Sequence, residues 1–451
     1  MKKFIQKIKE IWSIDDLRSK IINTLLFLLV YRIGTFVILP GIDGTEMMKG
    51  LQSQTDGVLG LVNVFAGGAF GRGAIFALGI MPYISASIVI QLLTIAVPTF
   101  QRMQKEGEDG RRKINQYTRF LTIAITAVQA YAYLFNITSN PDNSNALLFI
   151  SNGGLMSQST FMLVNVILLI AGTMFTMWLG EKITDKGLGN GISLIIMVGI
   201  IDRLPEALGF EFDAKANKGG LPIFVIELVF WLLVIIATIL LIQGTRKVAV
   251  SYAKRIEGNN VQGGSRNYIP LKVNAAGVMP IIFAQALMFI PPTIARNLKE
   301  PSEFLNSLGR MDSFWYNFLF AVLIIVFTYF YTAITINPNQ MADDMKKSGG
   351  FIPGVKPGTA TANFLDEIMS RITLPGALFL AFIAILPGIS MLFGVSQSFA
   401  QFFGGTSLLI MVGVVLDTLQ QIESHLLMRK YDGLMTSGRI SGRSGLNSQS
   451  F

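Results

Sequence analysis

Long apolar runs alternate with short polar segments along the whole chain, and this alternation is its dominant pattern. A helix that crosses a bilayer needs about 20 apolar residues, and ten runs reach that range. These runs lie near residues 21–40, 74–98, 118–137, 157–180, 189–208, 221–243, 274–295, 315–337, 373–395 and 405–428. The pattern therefore predicts an all-α polytopic membrane protein with ten transmembrane helices.

One further apolar run stands directly before the second long run and is too short to cross a bilayer. Residues 59–73 read LGLVNVFAGGAFGRG and contain five glycines. Each glycine weakens a helix by roughly 1 kcal/mol relative to alanine. The run is therefore predicted to form a short, weakly stable half-helix.

The composition agrees with a membrane protein. Of the 451 residues, 51% are hydrophobic and only 14% are charged, whereas soluble domains carry about 25% charged residues. The chain has no cysteine, which excludes disulfides, thiolate metal sites and cysteine nucleophiles. Its one histidine, His425, stands at the end of the last apolar run, where we expect an interfacial position.

The distribution of charge predicts the orientation of the chain. Basic residues concentrate in the loops after the second, sixth and eighth runs, and basic loops stay on the cytoplasmic side. Both termini are therefore predicted to be cytoplasmic. Five spans per half would invert the second half relative to the first. The predicted segments are an N-terminal half at 21–208, a C-terminal half at 221–428, cytoplasmic loops at 244–270 and 338–372, and a tail at 429–451.

The first twenty residues are predicted to form a cytoplasmic N-terminal segment. In MKKFIQKIKEIW the apolar residues share one helical face and the lysines lie elsewhere. This spacing fits a short helix on an anionic membrane surface, and it also fits a frayed soluble terminus.

The sequence carries no pattern of an enzyme or an ion pump. It has no phosphate-binding loop, no H-E-x-x-H motif and no plausible serine–histidine pair, so no catalytic residue, metal site or cofactor is predicted. Ionisable residues inside the runs, which mark ion paths in pumps, are few. Arg32, Glu227 and Asp417 are the exceptions. Each stands near the end of a span, where we expect it to reach the interface or to pair.

Several ordered blocks of the sequence carry the signature of a known family. They include YRIG at 31–34, NVFAGGAFGR at 63–72, KEGEDGRRKINQYTR at 105–119, PLKVNAAGVMPIIFA at 270–284, INPNQMADDMKKSGGFIPGVKPG at 336–358 and FGGTSLLIMVGVVLD at 403–417. In these blocks and their spacing the chain resembles the SecY family, the channel-forming subunits of the bacterial Sec protein translocase.

The resemblance implies a function for the short run and for a set of isoleucines. Residues 59–70 would be the plug that closes the idle pore, with Leu61, Val62, Asn63, Val64, Phe65, Gly67 and Gly68. The narrowest part of the two-halved channel would be a ring formed by Ile80, Ile84, Ile192, Ile196, Ile282 and Ile410. An aliphatic ring dewets and opposes the passage of ions.

The resemblance also implies a lateral gate and docking sites. Ser85, Gln91 and Asn274 would line a gate through which apolar segments enter the lipid. The two large basic loops would dock a ribosome or a motor through Arg246, Lys247, Lys254, Arg255 and Lys356. At Lys356 the family has arginine. Lysine keeps the charge but loses the bidentate fork, so the resemblance leaves motor coupling at this position open.

The function implied is a passive pore that translocates unfolded secretory proteins across the bacterial plasma membrane. The implied partners are SecE and SecG, the SecA motor ATPase, the ribosome with its nascent chain, signal peptides, unfolded preproteins and membrane lipids, with YidC and SecDF as further candidates. A secondary transporter of a small solute shares the inverted-repeat plan and is the main alternative. An intramembrane protease and an accessory SecY devoted to few substrates were also considered.

Overall fold

The computed structural model describes residues 11–47, 58–139, 146–147, 157–216, 220–252, 255–257, 260–262, 266–288, 291 and 302–436. Each of the ten predicted apolar runs contains a helix in this part of the chain. In the first half the helices are α1 (Asp15–Gly34), α2 (Val58–Phe65), α3 (Ala69–Arg72), α4 (Met81–Ala96), α5 (Pro98–Lys105), α6 (Glu108–Ser139), α7 (Gln158–Lys186) and α8 (Gly191–Ala216).

The second half adds helices and a small amount of β-structure. Its helices are α9 (Leu221–Gln243), α10 (Met279–Met288), α11 (Glu303–Ser307), α12 (Phe314–Thr335), α13 (Pro338–Lys347), α14 (Thr359–Leu392), α15 (Gln397–Ala400) and α16 (Gly405–Thr436). Its strands are β1 (Thr245–Tyr252), β2 (Arg255–Glu257), β3 (Asn260–Gln262), β4 (Arg266–Lys272) and β5 (Gly350–Phe351). The mainly helical fold is confirmed, and the strands are an element that the sequence analysis did not predict.

Within the described ranges, six helices are long and apolar enough to cross a membrane. A seventh span results if α4 and α5, which are bent by 98° at their junction, are counted together. The bend falls where Pro98, which has no amide hydrogen, follows Val97. The number of ten spans thus stays a prediction.

The chain divides into two compact units. The first comprises Met1–Met48, Ala66–Gly199 and Val414–Phe451. Within it α7 packs against α1 and α6, and α4 packs against α6. Two glycines permit the closest approaches: a side chain at Gly172 would collide with the carbonyl oxygen of Ile75, and one at Gly191 with that of Gly180.

The second unit comprises Lys49–Phe65 and Ile200–Gly413. Within it α14 packs against α12, α13 and α9, and α12 packs against α10. Two prolines, Pro375 and Pro387, lie inside the 34-residue helix α14. Each removes one backbone hydrogen bond of the helix.

Two loops of the second unit fold together into what we call the two-loop module, residues 244–272 and 338–372. Its sheet has the strand order β4-β1-β5, and β1 pairs antiparallel with β4 in a register that sets Val248 opposite Ile269. One core fills the module. It contains the buried residues Val248, Val250, Leu271, Met345, Ile352, Leu365, Met369 and Ile372. The two loops are therefore one folding element.

A buried ionic cluster lies elsewhere in the second unit. Lys215 Nζ lies 2.9 Å from Glu227 Oε1 and 3.6 Å from Glu211 Oε1. Lys215 also donates a hydrogen bond to the Gly394 carbonyl at 3.0 Å, and the Ser396 amide donates to Glu211 Oε2 at 2.9 Å. The Glu211 side chain is 1% exposed. The expectation that Glu227 pairs is thus confirmed, and the cluster joins α8, α9 and the segment after α14.

We expect Lys215→Met to lower the thermal stability of the protein, because Glu211 and Glu227 would remain buried without their cation. Removing one partner of a buried ion pair costs about 3–5 kcal/mol, whereas an exposed pair is worth about 0–1 kcal/mol. The measurement is the apparent unfolding midpoint of the purified protein in one detergent.

The control for this prediction is Arg310→Met. Arg310 pairs with Asp312 at 2.6 Å, but its side chain is 72% exposed. The midpoint of the control should remain close to that of the parent. Equal shifts for the two variants would contradict a stabilising role for the buried cluster.

Candidate functional site

The predicted plug, residues 59–70, consists of two short helices around a glycine turn. Helix α2 covers Val58–Phe65 and α3 covers Ala69–Arg72. Between them Gly67 and Gly68 adopt φ values of 59° and 79°, which favour glycine. Asn63, Val64 and Phe65 are buried. The side chains of Leu61 and Val62 lie outside the described part of the structure.

The glycine turn is tied to the first unit by side chains from other helices. Arg32 Nη1 donates to the Gly67 carbonyl at 3.2 Å, and the Tyr133 hydroxyl donates to the Phe70 carbonyl at 2.7 Å. A side-chain carbon at Gly67 would lie 3.2 Å from the Cα atom of Gly199. The turn and α3 thus belong to the first unit, whereas α2 belongs to the second.

Two cations hold the same aromatic ring beside this turn. The guanidinium carbon of Arg32 lies 4.6 Å from the centre of the Phe36 ring, and that of Arg72 lies 4.4 Å from it. Both distances are in the range of cation–π attraction. Arg32, predicted from its position in an apolar run to reach the interface or to pair, therefore serves the segment that follows α2.

Four of the predicted ring residues belong to the first unit. Ile80 precedes α4 and its carbonyl accepts the amide hydrogen of Ile84 at 3.1 Å, so the two side chains lie one turn apart. Ile196 is 5% exposed. The Cγ1 atom of Ile192 lies 2.9 Å from the position of a side-chain carbon at Gly180, so Ile192 packs closely on α7.

The other two ring residues, Ile282 and Ile410, belong to the second unit. Val278 Cγ1 lies 3.6 Å from the position of a side-chain carbon at Gly413. Ile282 follows Val278 by four residues and Ile410 precedes Gly413 by three, so each isoleucine lies about one turn from this contact. Ile410 is 3% exposed. The assignment of all six isoleucines to one ring stays a prediction.

The three predicted gate residues have local partners or none in the described ranges. The Ser85 hydroxyl donates to the Met81 carbonyl at 3.1 Å, and Gln91 Nε2 donates to Ser87 Oγ at 3.4 Å. Asn274 is 7% exposed, and its Oδ1 atom has no hydrogen-bond partner among the described residues. Ser85 and Gln91 lie in the first unit and Asn274 in the second, so their pairing stays a prediction.

The run GLGNGIS forms a helix break whose role the sequence analysis missed. Between α7 and α8 the amide of Leu188 donates to Thr24 Oγ1 at 3.0 Å, and that of Gly189 donates to Gln421 Oε1 at 2.8 Å. The Gly191 amide donates to Thr184 Oγ1 at 2.9 Å. Isolated polar residues within apolar runs were the available signal.

The predicted docking residues lie on the two-loop module. Arg246 and Lys247 are exposed at the start of β1, where Val248 and Val250 point into the core. Lys356 is exposed, and its carbonyl accepts the Thr361 hydroxyl at 2.9 Å. The backbone of Arg255 pairs with Gln262. The side chain of Arg255 and the whole of Lys254 lie outside the described residues.

Comparisons with known proteins identify the family. A family model described as SecY matches residues 74–419. The chain is 41% identical over 97% of its length to 99% of "Protein translocase subunit SecY" of Chlamydia trachomatis. A protein of the same description from Streptomyces galbus is 43% identical over 93% of this chain and 97% of its own length.

Solved structures share the fold. A protein-conducting channel superposes with a TM-score of 0.58 at 17% identity, over 94% of both chains. Sec61 in a canine ribosome-channel complex from the endoplasmic reticulum gives 0.54 at 16% identity, again over 94% of both. A SecY structure concerned with the plug domain that stabilises the closed channel gives 0.60 at 17%, over 94% of both.

These likenesses and the apolar helices describe one kind of molecule, a multi-span membrane protein with the fold of a protein-conducting channel. The family model covers most of the chain, and the bacterial relatives match it at 41–43% identity over more than nine-tenths of its length. The chain therefore belongs to the SecY family.

Proposed function

We propose that this SecY-family chain forms the pore of a protein translocase, through which unfolded secretory proteins cross the plasma membrane. The observation that carries the proposal is the match to translocase subunits along nearly the whole chain. The chain is not an enzyme, so the energy for transport comes from a partner. SecA and the ribosome are the proposed sources.

The proposed constriction is the ring of Ile80, Ile84, Ile192, Ile196, Ile282 and Ile410. Six isoleucines offer no hydrogen bonds, so water leaves the ring and ions do not cross it. The same side chains can adjust their rotamers around an extended polypeptide. Because they bind none of its polar groups, the ring does not select a sequence.

The proposed plug must close the pore firmly and still leave it when a polypeptide enters. Helix α2 has eight residues, and isolated helices shorter than about 12 residues are marginal in water. Its order therefore depends on packing of residues such as Val64 and Phe65. The bonds of Arg32 and Tyr133 to the turn after α2 support a hinge there, with α2 as the part that moves.

The proposed lateral gate uses Ser85, Gln91 and Asn274. Polar groups within a membrane prefer each other to lipid. The uncompensated Asn274 Oδ1 atom supports this role, because a partner across the gate would satisfy it when the gate closes. An apolar signal segment that enters between the halves would then compete with that pairing.

The two-loop module is the proposed docking surface. Arg246, Lys247 and Lys356 are exposed on one folding element, and such charges suit RNA phosphates and acidic protein surfaces. Ribosome and SecA are the proposed occupants, with Lys254 and Arg255 as further contacts. Sec61 and Ssh1 relatives of known structure are ribosome-bound.

The remaining proposed partners act within the membrane. SecE and SecG would complete a heterotrimer, and YidC and SecDF are further candidates. Signal peptides, unfolded preproteins and membrane lipids would contact the pore and gate. Basic loops at 99–119, 244–270 and 338–372 support an orientation with both termini in the cytoplasm.

Cysteine crosslinking tests the pore directly, because the chain has no cysteine of its own. A secretory precursor with one cysteine is arrested halfway through a translocase that carries Ile84→Cys. We expect a disulfide to form between the two. The matched variant is Leu232→Cys on α9, whose side chain is 57% exposed and should face lipid; it should give no crosslink.

The outcomes of this experiment separate the site from the function. Absence of the Ile84 crosslink, with translocation still dependent on the chain, would refute the ring assignment. Translocation that continues without the chain would refute the proposed function and reopen the transporter alternative.

The glycine turn after α2 gives a second prediction. Alanine at a left-handed backbone position costs about 1–2 kcal/mol, and at Gly67 it would also press on Gly199. We expect Gly67→Ala to raise the ion conductance of idle channels in a planar bilayer. In the control, Gly209→Ala, the new methyl group meets no atom within 4 Å, so conductance should not change. Equal conductance in both variants would count against the plug.

A further inference from the structure

A pocket in the second unit lies where four helices meet. It is lined by residues of α10, α12, α14 and α16 and of the turn before α16, among them Gln285, Asn317, Pro387, Gln401, Thr406 and Ser407. All of these residues are uncharged. The pocket adjoins Pro387 and Gly388, where α14 lacks the backbone hydrogen bond that a proline cannot donate.

Three side chains bring unsatisfied polar atoms to this pocket. Gln285, Gln401 and Ser407 are 3%, 6% and 1% exposed. Within the described ranges, Gln285 Nε2, Gln401 Oε1 and Ser407 Oγ have no hydrogen-bond partner. Buried polar groups in native proteins are nearly always paired, with protein or with ordered water. Three such atoms on one pocket therefore point to a shared ligand.

The chemistry of the three atoms limits what that ligand can be. Nε2 is a donor, Oε1 is an acceptor, and the serine hydroxyl is both. The ligand must therefore both donate and accept hydrogen bonds. A charged ligand would find no counter-ion among the lining residues, and burying an unpaired ion is strongly unfavourable.

The size of the pocket fits a very small molecule. It offers about 30 Å³ in which the centre of a water molecule can move, and roughly 10–15 Å³ is enough for one water. Buried waters typically make about three hydrogen bonds to such groups. The pocket thus has both the space and the number of partners that one or two waters require.

We propose that this pocket is a water-binding site, in which ordered water joins Gln285 of α10 to Gln401 and to Ser407 of α16. The site goes beyond the proposed transport function and does not depend on it. Gln285 follows Ile282 by three residues, and Ser407 precedes Ile410 by three. The water therefore lies about one turn from the two isoleucines of this unit and links the helices that carry them.

The direct test is a density map of the full chain in its native complex at a resolution that shows ordered water. We expect a peak at about 2.7–3.2 Å from the Gln285 amide and from Gln401 or Ser407. A map without such a peak would overturn the proposal. Direct hydrogen bonds among the three side chains would overturn it as well.

A double-mutant cycle tests the same link in solution. Gln285→Met and Gln401→Met should each lower the unfolding midpoint by about 2 °C, and the double variant by less than the sum, because both lose one shared water. Ser407→Ala, which removes a single oxygen, serves if either glutamine variant does not fold; its map should lack the peak or show it displaced, and an unchanged peak would remove Ser407 from the site.

The matched control for the cycle is Thr328→Val on α12. The Thr328 hydroxyl donates to the Ile324 carbonyl of its own helix at 2.6 Å, so it shares no water with Gln285. The effects of Thr328→Val and Gln285→Met should add. Equal additivity for the Gln285 and Gln401 pair would refute the shared water.

Discussion

Backbone hydrogen bonding where an apolar helix breaks is the constraint on which the rest of this structure depends. In a bilayer no water replaces a lost helical bond, so the protein itself must supply the partner. Thr24, Thr184 and Gln421 do so between α7 and α8. Arg32 and Tyr133 do so for the turn after α2. The polar residues inside the apolar runs are therefore mostly assigned to backbone.

Hydrophobic pattern alone located the helices well, because burial in lipid leaves long, readable apolar runs. It did not locate their ends. The first run was predicted to extend to residue 40, but α1 ends at Gly34. The reason is tertiary: residues 38 and 39 leave the helix to pair with Ala74 and Gly73. That pairing depends on residues 35 positions away in sequence, which no local pattern contains.

The candidate site was predictable to a different degree in its different parts. The glycines of the plug were visible in the sequence, whereas the Arg32 bond to Gly67 was not, because it depends on how α1 meets the turn. The ionic cluster was half visible: Glu227 was expected to pair, but Lys215 and Glu211 stand on another helix. The strands of the two-loop module were missed because two distant segments share their core.

That shared core has a mechanical consequence. The two-loop module behaves as one stiff body, since Val248 of one loop and Met369 of the other belong to the same packed cluster. A force applied by a partner at Lys356 would therefore reach β1 without any change in the local fold. Helices α9 and α14 lead out of this body, so it can act as a lever whose arms extend into the apolar part of the chain.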